Sequence, residues 1–271
     1  MVQRHRLIIA GLVIALLTVV FVMGTFARDL DAIVSSGVIR VGFYPQDPPK
    51  QYYDPDTGEA VGLEVDIAKE FASDLGVKLE LIGSEWDALI PGLLADKWDI
   101  VIANMCRLPS RAATVDFTLA YENIDGMAIL VRADDDRFTA VSDLNQAGIK
   151  IGVNRGSAGH MCADKNAPAA EILPFQSASV AAMALQVGQL DAVVEDVTTM
   201  ELYAREHPQL KVVGTSNLAC PCWTGFAIQP GNFRLWLWAN QFLIEFKVSG
   251  RYSILYEKWF PERVAPTGIF Q

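Results

Sequence analysis

The feature that most restricts the fold is an alternation that runs through the chain twice. Short apolar stretches of strand length are each followed by a segment with apolar residues at helical spacing. "VIRVGF" (38–43) reads as a strand. After a turn-rich loop ending in "DPDTG" (54–58), Val65, Ala68, Phe71, Ala72 and Leu75 recur at helical spacing, and Gly76 closes that helix. "KLELI" (78–82) is the next strand, "WDALIPGLLADKW" a short helix, and "DIVIANM" (99–105) a third strand. The second pass is looser. "IKIGVNRGS" (149–157) echoes "IRVGFYP", and "LQVGQLDAVVEDV" (185–197) echoes "LLADKWDIVIANM", with an Asp opening the strand in both copies. Two β-α-β halves of one plan predict two similar α/β lobes, each around a mostly parallel sheet, rather than a sandwich or a bundle.

The first 27 residues stand outside this grammar. Residues 1–6 are basic and 7–24 form an unbroken apolar or small run, the pattern of an export signal, with Thr25-Phe26-Ala27 supplying small residues where a signal peptidase reads. Cleavage after Ala27 is expected. The alternative is an uncleaved N-terminal anchor, because the run approaches the ~20 residues that span a bilayer. Either way the remainder faces the periplasm or cell exterior. That remainder carries 20 basic and 32 acidic side chains, a formal charge of −12. Nucleic acid is therefore a disfavoured partner, and the acidic balance suits an exported protein that must stay dispersed.

In open α/β sheets the ligand site lies beyond the carboxyl ends of the strands. That rule selects four loops here: 44–53, 106–111, "NRGSAG" (154–159) and 195–199. Arg111 is the strongest candidate, since a guanidinium grips a carboxylate with two parallel charge-assisted hydrogen bonds that a lysine cannot reproduce. The matching acid is Asp196, with Glu195 the lesser choice. Placed opposite Arg111, it would hold an ammonium, so that the pair reads a small zwitterion. The plainer role for Asp196 is to cap the helix that "VTTMELYARE" predicts. Ser157 and Ala158 sit at a helix-start pattern, "RGSAGH", whose exposed N–H groups favour an anion; an ordinary strand-to-helix turn explains it equally well. Tyr44, Tyr52, Tyr53 and Trp86 stand near the same mouth, and at most half of them are expected in the site. Asp47 would favour a cationic side chain if it points inward, although stabilising the turn before Pro48-Pro49 is the blander role.

Other chemistries find little support. The four cysteines are Cys106, Cys162, Cys220 and Cys222. An oxidising compartment makes a disulfide the default, with Cys162 joined to Cys220 or to Cys222. "HMC" (160–162) with "CPC" (220–222) is the alternative, a soft-metal site of thiolates and imidazole, although no spacing matches a standard zinc module. Cys106 is read as a small buried residue beside the pocket. No cofactor or metal is expected, and neither a phosphate loop, a Gly-x-Ser-x-Gly elbow, a His-Glu-x-x-His motif nor a Ser-His-Asp set can be drawn from the spacing.

With these residues assembled, the chain from about residue 30 to 262 resembles the family 3 extracellular solute-binding proteins, the periplasmic polar amino-acid receptors of ATP-binding-cassette (ABC) importers. The resemblance rests on "SGVIRVGFYPQDPP", "TGEAVGLEVDIAKEFASDLG", "WDALIPGLLADKWDIVIANM", "SRAATVDFTLAY", "KIGVNRGSAG", "GQLDAVVEDV" and "SGRYSILYEKWF", in that order. It implies a type II periplasmic binding protein-like fold, two mixed-sheet α/β lobes joined by two hinge strands. One lobe would comprise residues 28–123 and 228–271 and the other 124–227, with crossings near 123–128 and 224–228, and ligand would close them by hinge bending.

The resemblance further implies that Arg111 grips an α-carboxylate, that Asp196 meets an α-ammonium, and that Ser157 and Ala158 add N–H groups. Asn104 and Cys106 would lie along the ligand, and Trp86 would line its side chain. The chain departs from the family pattern at Leu108 and Cys106, where hydroxyl residues are usual, and at Asp47 and Lys50, where aromatics are usual. An atypical zwitterion, a diamine derivative or an opine-like compound would suit a site with Asp47 and Lys50 at its mouth. The implied function is capture of a polar amino acid or related zwitterion in an interlobe cleft, by a monomer, for delivery to an ABC transporter permease. Two alternatives stand beside it: a periplasmic cyclohexadienyl dehydratase-like enzyme with Glu195 or Asp196 as general acid, and a membrane-anchored ligand sensor.

Overall fold

The Asp that opens a strand in each half does the same work twice. In the computed structural model, which describes residues 28–266, the Asp99 carboxylate accepts the N–H of Arg40 at 2.8 Å, and the Asp191 carboxylate accepts the N–H of Lys150 at 2.9 Å. Each carboxylate also holds an arginine, Asp99 with Arg40 at 2.7 Å and Asp191 with Arg137 at 2.6 Å. These contacts set the register of the third strand of each half against the first. Val41 thus faces Ile100 in one sheet and Ile151 faces Ala192 in the other. The segment read as an export signal lies outside the described residues. Among those described, no helix is long and apolar enough to cross a membrane.

The first sheet runs Lys78–Gly83, Val38–Phe43, Ile100–Cys106, Cys222–Ile228, Asp116–Phe117, with Glu122–Ile124 also paired to Cys222–Ile228. The second runs Glu171–Phe175, Lys150–Asn154, Ala192–Asp196, Met127–Arg132, Leu210–Val213. In both, the first three strands are parallel and the later ones antiparallel, so each lobe has a mixed sheet. The chain passes from one sheet to the other between Ile124 and Met127, and returns between Val213 and Cys222.

Side chains along the central strands alternate between the two faces, because a strand repeats every two residues. Ile100 and Ile102 face the helices Leu63–Leu75, Phe233–Val248 and Arg251–Trp259, while Val101, Ala103 and Met105 face Leu89, Leu93 and Trp98. Ile129 and Val131 likewise pack toward Cys162 and Ala163, and Leu130 toward Ala181, Leu185 and Met200. Helices thus cover both faces of both sheets, and loops at the carboxyl ends of the strands line the space between the lobes.

The helix Leu63–Leu75 ends at Gly76, whose φ of 73° and N–H bonds to Ala72 and Ser73 carbonyls form the expected left-handed stop. The cysteines close two disulfides, Cys162–Cys220 and Cys106–Cys222. The first is one of the two pairings open in the sequence. The second adds a partner for Cys106, which is buried beside the cavity as read from the sequence but joined to Cys222, and with all four thiols consumed the thiolate–imidazole alternative falls. The His160 imidazole instead accepts the N–H of Gly156 through Nδ1 at 3.0 Å.

Candidate functional site

The loop after the first strand is bracketed by a buried glutamine. Gln51 accepts the Tyr44 N–H at 3.0 Å and donates to the Ala103 carbonyl at 3.0 Å. The next turn is held by the helix that follows, since the Glu64 N–H donates to the Lys50 carbonyl at 2.9 Å. Gly62 permits that approach, because with φ of 128° a Cβ there would lie 2.3 Å from the Lys50 carbonyl oxygen. Lys50 is thereby aimed into the space between the lobes. It is buried, only 3% exposed, which corrects the expectation of a lysine at the mouth.

Across the cleft, Asp196 caps the helix Val197–Glu206 and also lines the cavity between the sheets. Its Oδ1 accepts the Thr199 N–H at 3.0 Å, and its Oδ2 accepts the Thr199 hydroxyl at 2.6 Å and Lys50 Nζ at 3.1 Å. Asp47 completes the cluster, 3.2 Å from the Thr199 hydroxyl oxygen and 4.0 Å from Lys50 Nζ. It therefore points inward rather than serving only its own turn.

Burial would raise the Asp196 pKa, but Lys50 and the Thr199 donors outweigh it and hold the carboxyl below its ordinary range. For Asp47 burial wins and the pKa is raised. Lys50 is raised above the usual lysine value, since the attraction of Asp196 and Asp47 exceeds the cost of its burial.

Arg111 sits in the short helix Pro109–Ala112, 6% exposed. Its Nη1 donates to the Cys106 carbonyl at 3.1 Å and its Nη2 to the Gly156 carbonyl of the other lobe at 2.8 Å. The guanidinium lies 5.5 Å from the Trp86 ring centroid, and Trp86 Nε1 donates to the same Gly156 carbonyl at 3.1 Å. Burial pulls the Arg111 pKa down to about 10, opposed by Glu195, which leaves the group charged at neutral pH.

Ser157 is the N-cap of the helix Ala158–Asn166, accepting the His160 N–H at 3.1 Å, and it also hydrogen-bonds Glu195. Burial, then the charges of Asp196 and Asp47, push the Glu195 pKa up to about 8. Asn104 adopts φ of 50° at the end of its strand, where the ladder with Cys222–Ile228 is irregular. Its N–H bonds to the Tyr121 hydroxyl at 3.0 Å, while its side-chain Oδ1, like that of Asn154, is buried without a hydrogen-bond partner.

Tyr44, Asp47, Trp86, Asn104, Cys106, Ser157, Ala158 and Asp196 all line one cavity between the sheets. Arg111 stands directly behind it, through Cys106 and Trp86. Of the four mouth aromatics, Tyr52 packs on Trp259 and Tyr53 on Phe43, away from the cavity, while Tyr44 and Trp86 pack edge to face beside it. Asn154 and Thr199 also line it and carried no role in the sequence reading, although each lies in a selected loop.

The sequence matches the model of the bacterial extracellular solute-binding proteins, family 3, over residues 39–262. It is 28% identical over 208 residues to ABC transporter arginine-binding protein 1 of Escherichia coli (strain K12), covering 75% of this chain and 83% of that one. It is also 28% identical over 184 residues to the cyclohexadienyl dehydratase of Pseudomonas aeruginosa, covering 68% of each. Among solved structures, an ancestral amino acid-binding protein described as a precursor of cyclohexadienyl dehydratase superposes with a TM-score of 0.79 at 35% identity, over 85% of this chain and 99% of that one.

Proposed function

The chain belongs to the bacterial extracellular solute-binding proteins, family 3, and on that premise we propose that it captures a small polar solute anchored by a carboxylate, an amino acid or a compound built on one, and delivers it to an ABC transporter. The observation that carries this reading is Arg111: a buried guanidinium whose hydrogen-bond partners are two main-chain carbonyls, one from each lobe, stacked over Trp86. Carbonyls satisfy its donors but do not neutralise its charge, and Glu195, the acid that acts on it, is pushed up to about 8 by burial, so an ionised ligand carboxylate is the partner that completes it. Its position between lobes makes ligand capture and lobe closure one event. The names of the relatives support the amino-acid class. Calorimetry on the purified protein with a panel of amino acids and amino-acid derivatives tests the reading, and silence across the panel would sink it.

A second reading has one observation in its favour. Glu195, held protonated near neutral pH by burial beside Asp196, is a carboxylic acid able to donate a proton inside the cleft. Under that reading the protein is a dehydratase. Incubation with prephenate and arogenate, followed by product chromatography, separates the two: turnover removed by Glu195→Gln favours the enzyme, and binding without turnover favours the carrier.

A further inference from the structure

The acid expected to meet a ligand ammonium is already engaged. Four groups define the polar end of the cleft: Asp47, Lys50, Asp196 and Thr199. A carboxylate offers about four lone-pair sites. Three of those on Asp196 are filled from the protein, by the Thr199 N–H at 3.0 Å, the Thr199 hydroxyl at 2.6 Å and Lys50 Nζ at 3.1 Å. Lys50 and Asp196 are 3% and 5% exposed, so the pair is shielded from water.

A ligand ammonium would have to displace Lys50, leaving that ammonium buried with Asp47, 4.0 Å away, and the more distant Glu122 as its remaining acidic neighbours. Removing one partner from a buried ion pair is strongly unfavourable, because the other charge stays desolvated. Behind the cavity wall formed by Cys106 and Trp86, Arg111 hydrogen-bonds two carbonyls, and the acid that acts on it, Glu195, is pushed up to about 8 by burial. The cleft therefore holds an internally paired lysine and an arginine that awaits an anion. The same cavity is lined by two buried acceptors without partners, Asn104 Oδ1 and Asn154 Oδ1, each able to accept from an N–H or O–H donor.

Resting on the solute-capture reading above, we propose that Lys50 is a built-in substitute for the ligand's α-ammonium, so that the solute is a carboxylate whose adjacent group is a neutral donor: an N-acylated amino acid or a 2-hydroxy acid. The Lys50–Asp196 pair fills with the protein's own charge the place a ligand ammonium would take, which makes the cleft a site for monoanions. Asp196 then acts as the counterion of Lys50 and the cap of its helix, and ligand charge is read at Arg111 alone.

The test is isothermal titration of the purified protein with the twenty standard amino acids and with their N-acetyl and 2-hydroxy counterparts. The expected result is that the tightest binder comes from the neutral-donor series and exceeds its own amino-acid parent by at least tenfold. Lys50→Met, which frees Asp196, is expected to shrink or reverse that ratio. An amino acid binding as tightly as its counterparts overturns the proposal while leaving the solute-capture reading intact. No binding in any series overturns both. The wild-type comparison decides the matter even if the variant fails to fold.

Discussion

Arg111→Ala is the substitution on which the description of this cleft depends most directly. The guanidinium makes two hydrogen bonds, at 3.1 Å to Cys106 and 2.8 Å to Gly156, and lies over Trp86. A charge-assisted hydrogen bond contributes about 1.5–3 kcal/mol net, and losing one partner of a buried, hydrogen-bonded charge pair costs about 2–5 kcal/mol of binding. At about 1.4 kcal/mol per decade, the loss is roughly thirtyfold to several thousandfold in Kd. Calorimetry with the tightest solute from the panel measures it, and a melting curve without solute checks that the fold persists.

Arg111→Lys separates charge from geometry. It keeps the charge but replaces the planar fork with a point donor, so a loss between those of wild type and Arg111→Ala is expected. If Arg111→Ala binds within threefold of wild type, the guanidinium is not the carboxylate anchor and the reasoning fails. If Arg111→Lys is indistinguishable from wild type, the charge matters and the two-pronged geometry does not.

Three further outcomes follow from the structure. Burial, with added repulsion from neighbouring acids, raises Glu195 and Glu64 to about 8 and Glu122 to about 7. Groups raised in the fold contribute stability that is complete below their unfolded values and lost as pH rises through the folded ones. Stability, read as the thermal midpoint, should therefore fall as pH rises from 5 to 8.5, and Glu122→Gln should flatten the profile; a midpoint that climbs across this window would contradict the burial argument. Gly159→Ala would put a Cβ 2.4 Å from the Val194 carbonyl and 3.1 Å from Glu195 Cα, so urea denaturation should report a loss of about 1–3 kcal/mol. Replacing Cys162 and Cys220 by Ser opens a closure spanning 58 residues and is expected to lower stability by about 2–4 kcal/mol under oxidising conditions; an unchanged denaturation midpoint would count against the pairing.

Local periodicity and local chemistry carried much of the protein in readable form. The strand Val38–Phe43 and the helix ending at Gly76 follow from spacings and a stop signal that act within a few residues. The duplicated plan was visible because the same short-range pattern occurs twice, down to the Asp at the strand start. Arg111, Asp196 and Trp86 could be selected because strand ends and helix starts, once located, say which loops meet a ligand. The cavity brings Asp196 and Trp86 to one place, with Arg111 behind its wall, over the Trp86 ring.

What the sequence left open depends on contacts between distant segments. Cys106 and Cys222 are 116 residues apart, and nothing in the run around either identifies the other. Lys50 looked like a mouth residue because a lysine in a loop is ordinarily solvated, and no local pattern marks one that must be buried. Only the folded chain, with the Gln51 bracket and the close approach of Gly62 fixing the loop, carries that ammonium across the cleft to an acid 146 residues away. Short-range stereochemistry and hydrophobic spacing are written into the order of residues, and they settle which elements form and which ends of the strands are left to bind. Which charges in the cleft are already paired is settled by folding, because desolvation and ion pairing depend on distances through space that the order of residues does not contain.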